Sequence, residues 1–135
     1  MDKILTNAFK FISLLVILST FGCSSTNTNA APQIEVPQGK AVIYFFRTGF
    51  GGGAIKFHVH DMEGKPLGYL GKNGDNFSII VEPGRHQFWS RAASRNDVAL
   101  NVESGKVYYV KGTVNMGFAA GRPVLEEVSA ADVPN

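Results

Sequence analysis

The chain holds a single cysteine, Cys23, in 135 residues. No intramolecular disulfide can form, and no zinc cluster built on several thiolates can be assembled. Charge is sparse and balanced, with 13 basic residues against 11 acidic ones and a net of +2. That excludes a binder driven to nucleic acid by bulk charge. Only one apolar run is long, FISLLVILSTF at residues 11–21. As a helix it spans roughly 16 Å, about half of a bilayer's hydrocarbon, which excludes a stable transmembrane span. Helical periodicity is missing after that run. Catalytic signatures are missing too: no serine sits in Gly-x-Ser-x-Gly, and no carboxylate pair has hydrolase spacing. Glu126 and Glu127 are adjacent in an expected strand and so face opposite ways. The glycine tract at residues 49–53 lacks the Gly-Lys-Ser/Thr of a phosphate loop. Neither an enzyme nor a cofactor is expected.

What is present begins around Cys23. Lys3 and Lys10 accompany the apolar run, Gly22 directly precedes the cysteine, and SSTNTNAAP follows it. This looks like a bacterial lipoprotein signal, in which residues 1–22 are removed and Cys23 becomes the first residue. Thr20 and Phe21 depart from the usual residues at those places. The competing reading is a plain secretory signal with an incidental cysteine. A lone thiol in an oxidising envelope argues instead for chemistry that consumes it. Cys23 would carry a diacylglyceryl group and an N-acyl chain such as palmitate, and several chains hold firmly. Ser24 follows in place of aspartate. By Gram-negative sorting rules this sends the protein to the periplasmic face of the outer membrane. Cleavage would leave 11 basic and 10 acidic residues.

Residues 23–39 are polar and interrupted by Pro32 and Pro37, so a flexible tether is expected there. A docked strand at residues 34–36 is the alternative. From residue 40 to 135 the apolar segments are short and separated by turn residues. AVIYFF at residues 41–46 suits a central strand covered on both faces. Ile55, Phe57 and Val59 alternate with Lys56, His58 and His60, as a half-buried strand requires. KNGD at residues 72–75 and GK at residues 105–106 are hairpin signals. The expectation is a single antiparallel β-sandwich of seven or eight strands.

Four segments in order, KAVIYFFR (40–47), VEPGRHQF (81–88), ESGKVYYVK (103–111) and GRPVLEEV (121–128), carry a resemblance. They resemble a family of small bacterial envelope lipoproteins catalogued as the domain of unknown function DUF2846. The Pro-Gly-x-His turn is also similar to PEGA-type β-sandwich modules. The resemblance implies a small exported β-sandwich and no established activity.

Several side chains are candidates for function. His58 and His60, two apart on a strand, share a face; with His86 they make an alternative reading, a periplasmic metal-binding protein. Phe50 sits in the glycine-rich loop. Trp89 is expected to be partly exposed with Arg91 stacking on it, and Tyr109 and Lys111 lie on the polar face of the longest strand. These five residues form a possible partner surface. The leading expectation is a non-catalytic binding or scaffold module, attached to the membrane at Cys23. It would engage an unknown envelope protein or ligand, and no nucleic acid, through a sheet edge or loop cluster.

Overall fold

The computed structural model of the chain describes residues 31–49 and 53–134, which form two four-stranded sheets packed face to face. The strands are β1 (Ala41–Arg47), β2 (Phe57–His60), β3 (Pro66–Leu70), β4 (Asn76–Val81), β5 (Gly84–Arg91), β6 (Arg95–Val102), β7 (Val107–Met116) and β8 (Gly121–Val128). The first sheet has the order β4-β1-β7-β8 and the second β3-β2-β5-β6. A single 3-10 turn, Ala130–Asp132, follows β8. Among the described residues no helix is long and apolar enough to cross a membrane. Cys23 and Phe50 lie outside the described residues.

The apolar run of β1 sits where its composition requires, between β4 and β7, with all but Tyr44 buried. Its pairing with β7 is parallel, a departure from the all-antiparallel expectation. The reason is the route of the chain. After β6 it leaves the second sheet and re-enters the first beside β1, so no long crossover within one sheet is needed. The expected hairpins at residues 72–75 and 105–106 are likewise passages between sheets. True hairpins join β2 to β3, β5 to β6 and β7 to β8. Ile55 falls outside β2, in the connection from β1.

The core lies between the sheets. Ile43, Phe45, Val110 and Leu125 from the first meet Phe57, Val59, Leu70, Phe88 and Leu100 from the second. Phe45 is at its centre, stacked on Phe77 at 4.8 Å and edge-on to Phe88 at 5.3 Å. Among the described residues every strand and every residue of the core cluster belongs to the stretch after residue 40, which carries its own core. The outer face of the first sheet is also partly covered. Val42 and Phe46 point away from the core yet are buried, and Tyr44 packs on Phe46 and Tyr109 at 6.0 Å each. Burial, aided by nearby Tyr109, raises the Tyr44 hydroxyl above its ordinary pKa. The C-terminal segment rests on this side: Val133 is buried and Asp132 feels the charge of Lys111 on β7. Ahead of β1, Ile34 and Val36 are half-buried while Gln33 and Glu35 are exposed. The last residues of the expected tether thus touch the domain.

Successive strands alternate in direction. The β1–β2, β3–β4, β5–β6 and β7–β8 connections share one end of the sandwich, here the distal end. The remaining connections share the proximal end with the start of β1 and the end of β8.

Candidate binding surfaces

Alternation along β2 and β5 turns His58, His60 and Trp89 onto the outer face of the second sheet. Register completes a row of rings across three strands: His58 lies opposite Tyr69 and His60 opposite Trp89. The His58 ring is 5.1 Å from Tyr69, and His60 stacks on the indole at 4.2 Å. Arg95, on β6, places its guanidinium 4.6 Å from the Trp89 ring. The cation expected on Trp89 was Arg91. Arg95 takes that place because the β5–β6 hairpin folds it back over the indole, while Arg91 is exposed at the end of β5. Asp97 holds Arg95 through both carboxylate oxygens at 2.7–3.1 Å, and that bond is the main reason its own carboxyl titrates below the ordinary range. The indole N–H donates to the carbonyl of Asp61 at 2.7 Å. Trp89 is therefore a fixed, half-buried member of the sheet rather than a free contact.

The three histidines do not converge. His58 and His60 share a face with ring centres 6.1 Å apart. His86 shares the parity of Phe88 and Ser90, the inward face, where it packs 6.2 Å from Phe88 and bonds to the carbonyl of Glu82 at 2.7 Å. Along β5 it lies three positions from Trp89, the residue opposite His60, and so on the other face of the sheet. Among the described residues no group of three His, Cys, Asp or Glu is placed to hold a metal ion. Tyr109 and Lys111 are similarly engaged, Tyr109 against Tyr44 and Lys111 with Glu126 at 3.3 Å.

At the distal end Arg47 closes the core. Its side chain is 1% exposed, and Nη1 donates to the carbonyls of Ile55 at 2.5 Å and Leu70 at 3.1 Å. Asp75 acts on Arg47 through space, while carbonyls take these bonds. Desolvation lowers the guanidinium pKa, and Asp75 and Tyr69 offset part of that effect. Asp75 in turn accepts the N–H groups of Gly71 and Lys72 at 2.7 and 2.8 Å. The Lys72 bond leads the causes that depress its carboxyl. Beside this loop opens a cleft of about 450 Å³ lined by Lys56, Tyr69, Lys72, Asp75 and Asn76, among others.

Four strands are sheet edges, and three of them are blunted. On β8 the N–H of Leu125 donates to Asn96 Oδ1 of the other sheet at 2.7 Å. By alternation residue 123 also faces outward, and it is proline, with no N–H to offer. Asn96 ties β6 into the same closure, and β6 carries the Arg95–Asp97 pair. Strand β3 has five residues, begins with Pro66, and its pairing with β2 is irregular at Val59 and His60. Strand β4 has none of these devices. Its sequence, NFSIIV, holds no charge and no proline, and Ile80 is 62% exposed. Its phase is fixed by Arg47, whose N–H donates to the carbonyl of Asp75 at 2.8 Å. Alternation then aims the N–H groups of Phe77, Ile79 and Val81 at β1 and those of Ser78 and Ile80 outward.

Comparison with known proteins supplies no activity. No family model matches the chain. It is 27% identical over 110 residues to an uncharacterized protein of Haemophilus influenzae, a match covering 78% of this chain and 63% of that protein. The chain thus spans less than two thirds of that relative's length. Among solved structures it is similar to the crystal structure of a DUF3823 family protein from Parabacteroides merdae, with a TM-score of 0.34 and 13% identity over 71% of this chain and 60% of that one. The Haemophilus relative is uncharacterized, which agrees with the sequence resemblance only in pointing to no established activity.

Proposed function

We propose that this chain is an envelope lipoprotein of the DUF2846 type, anchored through Cys23 at the periplasmic face of the outer membrane, and that it is a non-catalytic binding module. Its partner is an extended segment of another envelope protein, added as a fifth strand beside β4. The observation that supports this reading is the contrast among the four edges. Proline, a cross-sheet hydrogen bond, short length or charge guards the other three, whereas β4 presents outward N–H groups beside an exposed isoleucine. Natural sheets guard edges against unwanted pairing, so an unguarded apolar edge marks a place where pairing is wanted.

Two experiments test the two parts. A photoreactive residue at position 80 is expected to trap a discrete envelope adduct that Ser78→Pro abolishes, because proline removes an outward donor without breaking the bonds to β1. An adduct that persists in Ser78→Pro, or no adduct at all, overturns the edge reading. For the anchor, Cys23→Ser is expected to release the protein from membranes, and the wild type is expected to carry acyl mass. Unchanged membrane association together with no acyl mass would sink it.

A further inference from the structure

The balanced net charge of the chain conceals an excess of unpaired cations at one end of the fold. At the distal end Lys56, Lys72, Arg91 and Arg122 are all exposed, and none belongs to an ion pair among the described residues. The free-standing carboxylate at that end is Asp75, whose oxygen is already taken by two backbone N–H groups. The proximal end is balanced: Asp61, Glu63, Glu82 and Glu103 share it with Lys40, Lys65, Arg85 and Lys106, and Lys40 and Lys106 are bound to Glu82 and Glu103. The β7–β8 hairpin projects from the basic end. Its turn is closed by the N–H of Gly117 donating to the carbonyl of Ala120 at 3.0 Å, which leaves Phe118 at the tip, fully exposed. Met116 beside it is 62% exposed, and the Arg122 guanidinium lies against Gly117 at the base of the turn.

A bare phenylalanine on a hairpin tip, flanked by an exposed methionine and an arginine, gains nothing within the fold. The arrangement matches the two requirements of an interfacial anchor: apolar side chains that enter the acyl boundary and cations at the depth of the headgroups. We propose that the distal end docks on a bilayer bearing anionic phospholipid headgroups, with Phe118 and Met116 inserted and Arg122, Arg91, Lys56 and Lys72 against the phosphates. The cleft between Lys56, Lys72 and Tyr69 opens at this same end and gives a headgroup room to approach. Strand β1 starts at the opposite end of the sandwich. The inference goes beyond edge pairing at β4 and is independent of it.

The test uses residues 31–135, which contain the whole described fold and lack the signal and Cys23, in cosedimentation with vesicles. Vesicles of phosphatidylcholine mixed with phosphatidylglycerol are expected to bind the protein, and phosphatidylcholine alone to bind it poorly. Raising salt should weaken binding as the Debye length shrinks. Phe118→Ser is expected to lower partitioning roughly tenfold, the effect of losing one buried aromatic side chain. Arg122→Glu is expected to lower it by roughly fivefold or more. Both sites are exposed, so thermal midpoints should match the wild type and serve as the folding control. Ser78→Pro should bind vesicles normally. No sedimentation with the anionic vesicles, or binding indifferent to both distal substitutions, overturns the proposal while leaving the edge reading untouched.

Discussion

Arg47 of the first sheet donates from inside the sandwich to the carbonyl of Leu70 in the second, 3.1 Å away. The same nitrogen reaches Ile55, so one guanidinium fastens the distal connections of both β2 and β3. Its carbon also lies 5.3 Å from the ring of Phe57, which packs beneath it.

Truncating this side chain is therefore expected to cost more than its charge suggests. Arg47→Leu leaves two buried carbonyls without their donor, and an unmet buried acceptor costs ~1–3 kcal/mol. A loss of about 2–4 kcal/mol is expected in urea unfolding, with an unchanged denaturant slope. Arg47→Lys should recover only part of it, since an ammonium is more strongly hydrated than a guanidinium and costs more to bury. Wild-type stability in Arg47→Leu would contradict the assignment.

Acid should erode stability through identifiable carboxylates. Asp75, Asp97 and Asp132 all titrate below the ordinary range, because of backbone bonding from Lys72, the bond from Arg95 and the bond from the Ser129 hydroxyl, respectively. A depressed folded-state pKa gives stability that is complete above the unfolded carboxyl value and is lost as pH falls through the folded value. The urea midpoint should hold from neutral pH down to the ordinary carboxylate range and decline below it. Asp75→Asn should make that decline shallower. An identical acid limb in the variant would remove Asp75 from the account.

Gly68 has a packing role that its position in β3 does not announce. A Cβ built there would sit 2.5 Å from the ring of Phe77, whose own ring is stacked on Phe45. Gly68→Ala must displace an aromatic pair at the heart of the core, and overpacking of this kind costs ~1–3 kcal/mol. Phe77→Leu in the same chain should relieve part of the penalty, since the two sites share one contact. Strict additivity of the two substitutions would show that they do not meet.

Ser90 offers the opposite sign. It is fully buried on the core face of β5, and its hydroxyl has no hydrogen-bond partner among the described residues. Ser90→Ala removes an unmet polar group with little change of shape, so stability should hold or rise by up to ~1 kcal/mol. Clear destabilisation by thermal unfolding would mean that the hydroxyl does have a partner.

Sequence patterning located the architecture well and the surfaces poorly, for physical reasons. Continuous β-branched and aromatic composition marked β1 as central, and two-residue alternation gave the inward faces of β4, β6 and β7. Such periodicities are local. Whether the next strand stays in the same sheet is not local, which is why residues 72–75 read as a hairpin and instead change sheets. Trp89 shows the same limit: its exposure was legible from the parity of Phe88, but its cation arrives from six residues on, through a hairpin register. His86 was separated from His58 and His60 only once β5 was aligned with β2. The cationic character of the distal end was invisible to a net total, because alternating strand direction brings Lys56, Lys72, Arg91 and Arg122, far apart in sequence, to the same end.

The closed side of the sandwich yields the last prediction. Asn96 and Pro123 together guard the outer edge of β8, Asn96 by occupying the N–H of Leu125 and Pro123 by lacking one. Asn96→Ala alone should cost about 1 kcal/mol, the ordinary worth of one such bond. Combined with Pro123→Val it should restore two outward donors on an eight-residue strand and create a second pairing-competent edge. The double variant is then expected to self-associate with rising concentration in sedimentation, which the wild type does far less at equal concentration. If β4 is the natural docking edge, photo-adducts at position 80 should persist in that variant, because the new edge lies at the far side of the same sheet. Association that instead abolishes the position-80 adduct would show that the two edges compete, and that β4 owes its selectivity to the guards on β8.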